Sequence, residues 1–123
     1  MYEVAYETTF CATHTLLDRG RPIEPLHGHD WRVEVVASGD RLDSIGVVLD
    51  FEVLKKVVKT VAERFHYKDI TSDPAFDGAS PSAEAVARVF FEEVRRGLGA
   101  DGALLRRVRV WEAPGCSAVY SAT

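Results

Sequence analysis

The chain has 123 residues, 46% apolar and 28% charged, which is the balance of a globular protein, and its length favours a single domain over residues 1–123. The formal charge of −4 and the lack of a basic stripe argue against a nucleic-acid partner. Apolar runs such as residues 46–49 are too short to cross a bilayer, and the first residues lack a signal-peptide pattern. We therefore expect a cytoplasmic protein without a membrane partner.

The first third of the chain predicts two strands separated by a loop. Residues 2–11 are rich in β-branched and aromatic types and indicate a strand. Residues 12–30 hold two glycines and two prolines, which favours a loop over most of this segment. Residues 31–38 alternate between apolar and polar types at their start and predict the second strand.

The middle of the chain predicts two helices. Asp50 can cap a helix over residues 51–64, where apolar residues recur at helical spacing. Residues 66–80 contain Asp-Pro and Asp-Gly pairs and predict a loop. Ser80 and Pro81 then have the types favoured at the N-cap and at the first position of a second helix.

The last third predicts the end of this helix and two more strands. Gly97 or Gly99 ends the helix, and residues 106–113 and 117–122 form strands joined by a Pro-Gly turn. The order is β-β-α-α-β-β. Two hairpins of this kind can pair into one four-stranded antiparallel sheet with both helices on one face, which is a two-layer α+β fold.

Three of the four histidines form a candidate metal site. In an extended segment, His27 and His29 point to the same side, and Gly28 between them gives the backbone room to bend. His14 ends the first strand and lies beside them if the two strands pair. Three imidazoles with an open fourth position are typical of a catalytic zinc site. The alternative for an isolated His-x-His pair is a set of ordinary surface hydrogen bonds.

The cysteines do not offer a competing site. The chain has only Cys11 and Cys116 and no Cys-x-x-Cys pair, which excludes a thiolate zinc site. Disulfides are rare in the cytoplasm, where we expect this protein, so a disulfide between the two cysteines is not expected.

Five short motifs resemble, in order and spacing, those of the 6-pyruvoyl-tetrahydropterin synthase family, which includes the 6-carboxy-tetrahydropterin synthases of queuosine biosynthesis. These motifs are FCATH at 10–14, LHGHDW at 26–31, VLDF at 48–51, PSAE at 81–84 and VWE at 110–112. The resemblance spans about residues 4 to 120. It implies the tunnelling fold, with the element order given above. It also implies homotrimers whose sheets close into a barrel, usually paired into hexamers.

The resemblance also implies a ligand set and a substrate class. His14, His27 and His29 correspond to the ligands of Zn²⁺, and Glu112 corresponds to the carboxylate that anchors a dihydropterin. A carboxylate that accepts two N–H bonds from the guanidine-like edge of the ring would hold it firmly. Without the motif, Glu112 would be interpreted as a strand carboxylate facing water.

The proton-transfer groups depart from the family pattern. The family has a cysteine shortly before the His-Gly-His motif and an Asp-His pair after the first helix. Here Ile23 stands at the cysteine position and Phe65 precedes His66, while Asp69 is a candidate substitute for the missing aspartate. Cys11 belongs to a different motif and is interpreted as a small core residue or a wall of the site.

Glu24, three residues before His27, is the remaining candidate for proton transfer. A branch of the family similar to the malarial enzymes has a glutamate there and cleaves the side chain of dihydroneopterin by retro-aldol chemistry. We hypothesise that Glu24 moves the side-chain proton while zinc holds the substrate hydroxyls. The alternative is a solvated loop residue.

Two functions therefore stay open. The first is a zinc-dependent lyase acting on 7,8-dihydroneopterin or its triphosphate. Elimination of triphosphate would give a 6-pyruvoyl or 6-carboxy pterin, and retro-aldol cleavage would give a 6-hydroxymethyl pterin. The missing cysteine argues against elimination, and Glu24 allows the aldol route. The second is a pterin-binding homologue that keeps the metal and the anchor Glu112 but lacks synthase activity.

Overall fold

The computed structural model describes residues 1–122 and contains two long helices and a mostly antiparallel sheet. The strands are β1 (Tyr2–His14), β2 (Leu17–Asp18), β3 (Arg21–Pro22), β4 (His27–Gly39), β5 (Lys68–Asp69), β6 (Leu105–Ala113) and β7 (Cys116–Ser121). The helices are α1 (Phe51–Phe65) and α2 (Ala83–Leu98), with short 3₁₀ turns at Pro74–Phe76 and Gly99–Leu104. None of the helices within residues 1–122 combines the length and apolar character needed to span a bilayer.

The main sheet has the strand order β5-β1-β4-β6-β7. Its four long strands are antiparallel, which confirms the predicted α+β class and element order. The sheet also has a fifth strand that the sequence did not predict, because β5 runs parallel to β1 through the pairs Ala12↔Lys68 and Thr13↔Asp69. A two-residue strand carries no detectable periodicity. Strands β2 and β3 form a separate small hairpin in the predicted loop.

Both helices pack on one face of the sheet. Alternate residues of the central strands are fully buried there, among them Phe10, Trp31, Val33 and Val110. Phe10 stacks on Trp31 with 5.9 Å between ring centroids, and on Phe90 of α2 at 5.4 Å. These aromatic contacts therefore connect β1, β4 and α2 close to the end of β1.

The predicted start of the second helix was wrong by two residues. Ser82 is the N-cap, and its Oγ accepts a hydrogen bond from the Ala85 backbone N–H at 3.1 Å. Ser80 is used elsewhere, because its Oγ accepts from the Leu17 backbone N–H at 2.9 Å. The predicted end at Gly99 is confirmed, since this residue adopts a φ of 59° after the last helical turn.

Strands β1 and β4 are longer than predicted. The pairing continues to His14↔His27, so both ends of the predicted loop over residues 12–30 are strand. Gly28 lies opposite Thr13 in this pairing. Glycine is unfavourable in strands, but the pairing with β1 outweighs that preference. As a result, the candidate metal ligands lie on rigid strands and not on a loop.

Candidate metal centre

Three histidine rings meet where β1 ends and β4 begins. His14 pairs directly with His27, and His29 pairs with Ala12. Because side chains alternate along a strand, all three rings point to the helix side of the sheet. The ring centroids lie 4.6 Å apart for His14 and His27, 5.3 Å for His14 and His29, and 4.7 Å for His27 and His29. The structure thus brings the predicted trio together.

Two backbone carbonyls orient these rings. His14 Nδ1 lies 2.8 Å from the Pro81 carbonyl oxygen, and His27 Nδ1 lies 2.9 Å from the Pro25 carbonyl oxygen. Since a carbonyl oxygen can only accept, each Nδ1 carries the proton and donates it. Nε2 is then the nitrogen of each ring that remains available to bind a metal. Histidines that bind metals usually donate their other N–H in this way.

Glu112 provides a fourth potential ligand. It occupies the core-facing position after Val110 on β6, and its Oε1 lies 2.8 Å from His14 Nε2 and 3.7 Å from His29 Nε2. One ligand atom from each of His14, His27, His29 and Glu112 lies within 4.8 Å of the other three. The carboxylate predicted to hold the pterin therefore lies inside the histidine cluster.

These donors fit a zinc ion. His14 Nε2 and His29 Nε2 are buried and, among residues 1–122, have no hydrogen-bond partner, although the Glu112 carboxylate is close. Buried polar atoms without partners are costly, and one cation between these groups would satisfy them together. Burial is the main cause that lowers the pKa of His29 below the usual 6.5, which favours the neutral ring that metal binding requires. Imidazole nitrogens and a carboxylate oxygen are common zinc ligands.

A cavity of about 400 Å³ opens beside Glu112, between the start of α2 and strand β7. Its walls are formed by Ala83, Glu84, Glu112, Cys116, Ser117, Ala118 and Val119. The volume lies in the range of pockets that hold small organic ligands, roughly 300–1,000 Å³. The metal centre therefore has room for a substrate on one side.

Glu24 lies beside the cluster, on the loop before β4. Its Oε1 accepts a hydrogen bond from the Leu16 backbone N–H at 3.0 Å and lies 3.7 Å from His27 Nδ1. Its backbone carbonyl accepts from the Thr15 hydroxyl at 2.7 Å. These contacts hold Glu24 next to a metal-ligand candidate, whereas the neighbouring Ile23, at the position of the missing cysteine, is 62% exposed.

His66 and Asp69 lie apart from the cluster within this chain. His66 Nδ1 accepts a hydrogen bond from the Cys11 backbone N–H at 3.0 Å, three residues along β1 from His14. Asp69 is exposed, and its Oδ1 accepts from the Thr71 backbone N–H at 3.0 Å. Asp69 belongs to the short edge strand β5 and His66 precedes this strand, so a role in the same reaction stays a prediction.

Two features of the site were not predicted from the sequence. The carbonyl of Pro81 orients His14, but Pro81 was interpreted only as a helix start. Glu112 was interpreted as a pterin anchor and not as a neighbour of the histidines. The alternation Val108, Val110, Glu112 could have indicated that this carboxylate faces the same side as the core.

A family model described as 6-pyruvoyl tetrahydropterin synthase matches residues 3–123, and together with the fold it defines the class as a pterin-processing protein. The chain belongs to that family, as its motifs predicted.

Two relatives and one solved structure illustrate the similarity. The chain is 32% identical over 109 residues to dihydroneopterin monophosphate aldolase of Pyrococcus furiosus, covering 89% of this chain and 88% of the relative. It is 31% identical over 110 residues to a putative 6-carboxy-5,6,7,8-tetrahydropterin synthase of Archaeoglobus fulgidus, covering 89% and 86%. The 6-pyruvoyl tetrahydropterin synthase of Caenorhabditis elegans shares the fold, with a TM-score of 0.89, 21% identity and coverage of 99% and 96%.

Proposed function

We propose that this chain is a zinc-dependent aldolase that cleaves the side chain of 7,8-dihydroneopterin or of its phosphate ester to a 6-hydroxymethyl dihydropterin. The observation that carries the proposal is the position of Glu24 beside His27, in a site whose expected cysteine is replaced by an exposed isoleucine. The similarity to the Pyrococcus furiosus aldolase supports the same chemistry.

His14, His27 and His29 would hold the zinc ion. When bound, zinc supplies a Lewis acid that polarises hydroxyl and carbonyl oxygens. The chain's contribution is to hold the three rings in place around the ion. The Pro81 and Pro25 carbonyls do this for His14 and His27 by accepting their Nδ1 protons.

Glu112 would hold the pterin ring. It borders the cavity, and its carboxylate can accept two parallel N–H bonds from the amino and ring N–H groups of the pterin. A bidentate, charge-assisted pair orients the ring as well as binding it.

Glu24 would move the proton. As a general base it takes the proton of the C2′ hydroxyl, and the C1′–C2′ bond breaks as C2′ becomes an aldehyde. The electron pair of that bond passes into the C6–N5 imine of the dihydropterin. A proton then returns to C1′, which leaves a hydroxymethyl group and releases glycolaldehyde or its phosphate. No external oxidant or reductant is needed.

The proposal is tested by incubating zinc-loaded protein separately with 7,8-dihydroneopterin, its monophosphate and its triphosphate. We expect 6-hydroxymethyl dihydropterin and a two-carbon aldehyde in equal amounts, identified by chromatography with mass detection. A 6-carboxy or 6-pyruvoyl product would contradict the aldolase proposal in favour of a synthase. Binding of all three compounds without turnover would instead support a pterin-binding homologue.

We also propose that the chain forms a homotrimer, alone or paired into a hexamer. Within residues 1–122 the outer edge of β7 has no neighbouring strand, and β1 is covered on its outer side only by the two residues of β5. Apolar side chains are exposed at both edges, with Tyr67 80% and Val119 41% accessible. Joining the edges of neighbouring subunits would remove both from solvent.

This assembly would give His66 and Asp69 a role. The edge near β5 of one subunit would lie against β7 of the next, and β7 forms one wall of the cavity beside Glu112. His66 and Asp69 would then assist proton transfer in the neighbouring site. Light scattering should give three or six times the chain mass of 13.6 kDa. A monomer at micromolar concentration would contradict the assembly and this role.

A further inference from the structure

The loop that carries Glu24 is held by polar contacts and not by apolar packing. Ile23 and Leu26, the large apolar residues that flank Glu24 and Pro25, are 62% and 55% exposed. Side chains that stay in water contribute little to holding a segment in place, because burial of apolar surface is what would stabilise it. The position of the Glu24 carboxylate therefore depends on the hydrogen bonds of this loop.

Thr15, the residue directly after β1, makes two of the contacts that matter here. It is only 6% exposed, which is unusual for a threonine. Its hydroxyl donates to the Glu24 backbone carbonyl at 2.7 Å, and its backbone N–H donates to Thr71 Oγ1 at 3.0 Å. The second bond fixes Thr15 itself, so the first can hold Glu24 at a defined place.

The next residue, Leu16, holds the side chain of Glu24. Its N–H donates to Glu24 Oε1 at 3.0 Å, and its carbonyl accepts from the Ile23 N–H at 3.1 Å. Thr15 and Leu16 thus bind the main chain and the carboxylate of Glu24 together. Because one carboxylate oxygen and the backbone are both fixed, the direction of the other oxygen, Oε2, is fixed as well.

Thr15 also connects Glu24 to the histidine cluster through the chain. It follows His14 directly, and His14 pairs with His27 across the sheet. Consecutive Cα atoms are about 3.8 Å apart across a rigid, planar peptide, so a residue bonded to Glu24 and next to His14 sets the distance between the carboxylate and the cluster. A general base acts only within hydrogen-bond reach of its proton.

We propose that Thr15 is a positioning residue, whose hydroxyl holds Glu24 where the carboxylate can take the substrate proton. The inference rests on the role of Glu24 in the proposed function and adds a second residue to it. Thr15 acts through Glu24 and needs no contact with the substrate. The hydroxyl has one proton to donate, and its other acceptor, the Leu16 carbonyl, lies 3.5 Å away, so the short bond to Glu24 is the dominant one.

Thr15→Val and Thr15→Ser test the role of the hydroxyl. Valine keeps the shape of threonine but leaves the Glu24 carbonyl without its donor, whereas serine keeps the donor. We expect kcat to fall about 10- to 100-fold in Thr15→Val, with KM and zinc content unchanged, because a base displaced by about 1 Å loses that much. Thr15→Ser should restore most of the rate. A full rate in Thr15→Val would overturn the inference.

Ser80→Ala is the matched control for these variants. It removes a hydroxyl that binds the Leu17 N–H of the same segment and does not contact Glu24, so it should keep the wild-type rate. An equal loss in Ser80→Ala and Thr15→Val would show a general loosening of the segment and contradict a specific role for Thr15. A rate loss in Thr15→Val that is accompanied by loss of zinc would also contradict it, because the effect would then act on His14.

A double variant tests whether Thr15 acts through the Glu24 carboxylate. In a Glu24→Gln background, Thr15→Val should change the residual rate by less than about twofold, because the group that Thr15 positions is already gone. A further loss of about tenfold in the double variant would show independent effects and overturn the inference.

Amide hydrogen exchange of the zinc-loaded protein checks the placement of Glu24 without turnover. The Leu16 N–H, which binds Glu24 Oε1, should be protected in the wild type and in Thr15→Ser, and should exchange about tenfold faster or more in Thr15→Val and Glu24→Ala. Unchanged protection in Thr15→Val would overturn the positioning role. A protected Leu16 N–H in a wild-type protein that turns over no dihydropterin would contradict the aldolase proposal and not the contact.

Discussion

Replacing His29 with alanine should abolish stoichiometric zinc binding and, with it, turnover of any dihydropterin. Loss of an outer-shell partner of a metal ligand typically costs 10- to 100-fold in affinity, so loss of a ligand should cost more than about 100-fold. His29 is the most informative of the three histidines. His14 is completely buried and packs on Trp31 at 4.9 Å, whereas His29 keeps 23% of its side chain exposed, so the variant should still fold.

His66→Ala is the matched control for this experiment. It removes a histidine of the same chain that binds the Cys11 backbone and lies outside the cluster. We expect it to keep one zinc per chain while its rate falls. Zinc per chain is measured by elemental analysis after gel filtration, and urea unfolding checks that both variants fold. A His29→Ala protein with full zinc content would exclude His29 from the metal site.

The fold was predictable because its signals are local and periodic. The alternation that begins at Trp31 and the helical spacing after Asp50 each follow from burying one face of an element. The Pro-Gly turn joins β6 and β7 through the pair Ala113↔Cys116, with Gly115 at a φ of 82°. Each of these features depends on residues close together in the chain.

The features that the sequence did not predict depend on contacts between distant residues. Ser80 has the type of an N-cap, but it binds the Leu17 backbone 63 residues away, and Ser82 caps the helix. Strand β5 exists because β1 offers it a free edge at Ala12 and Thr13. No local preference distinguishes these outcomes from their alternatives.

The candidate site was predictable in its ligands and not in its arrangement. The two-residue spacing of His27 and His29 predicts that their rings lie on the same side of the strand, and this prediction needs no tertiary contact. The position of Glu112 against the histidines depends on the register between β4 and β6, where Arg32 lies opposite Trp111. That register joins residues far apart in the chain, and local sequence patterns do not predict it.

Glu24 is held by backbone contacts that do not depend on its charge. The Leu16 N–H binds its Oε1, the Thr15 hydroxyl binds its carbonyl, and the Ile23 N–H binds the Leu16 carbonyl at 3.1 Å. A glutamine side chain has an oxygen that can accept the same bond from Leu16. Glu24→Gln therefore removes the base and keeps the loop.

For this reason we expect Glu24→Gln to lower kcat by about 10²- to 10⁴-fold, the usual contribution of general acid–base catalysis, with little change in KM or zinc content. Asp18→Asn is the control, because it removes an exposed carboxylate from β2 of the same loop and should keep the wild-type rate. Stopped assays at saturating dihydroneopterin monophosphate give kcat for all three proteins. A Glu24→Gln protein at full rate would remove this carboxylate from the mechanism. A rate loss accompanied by loss of zinc would assign Glu24 to holding His27 in place, since its Oε1 lies 3.7 Å from His27 Nδ1.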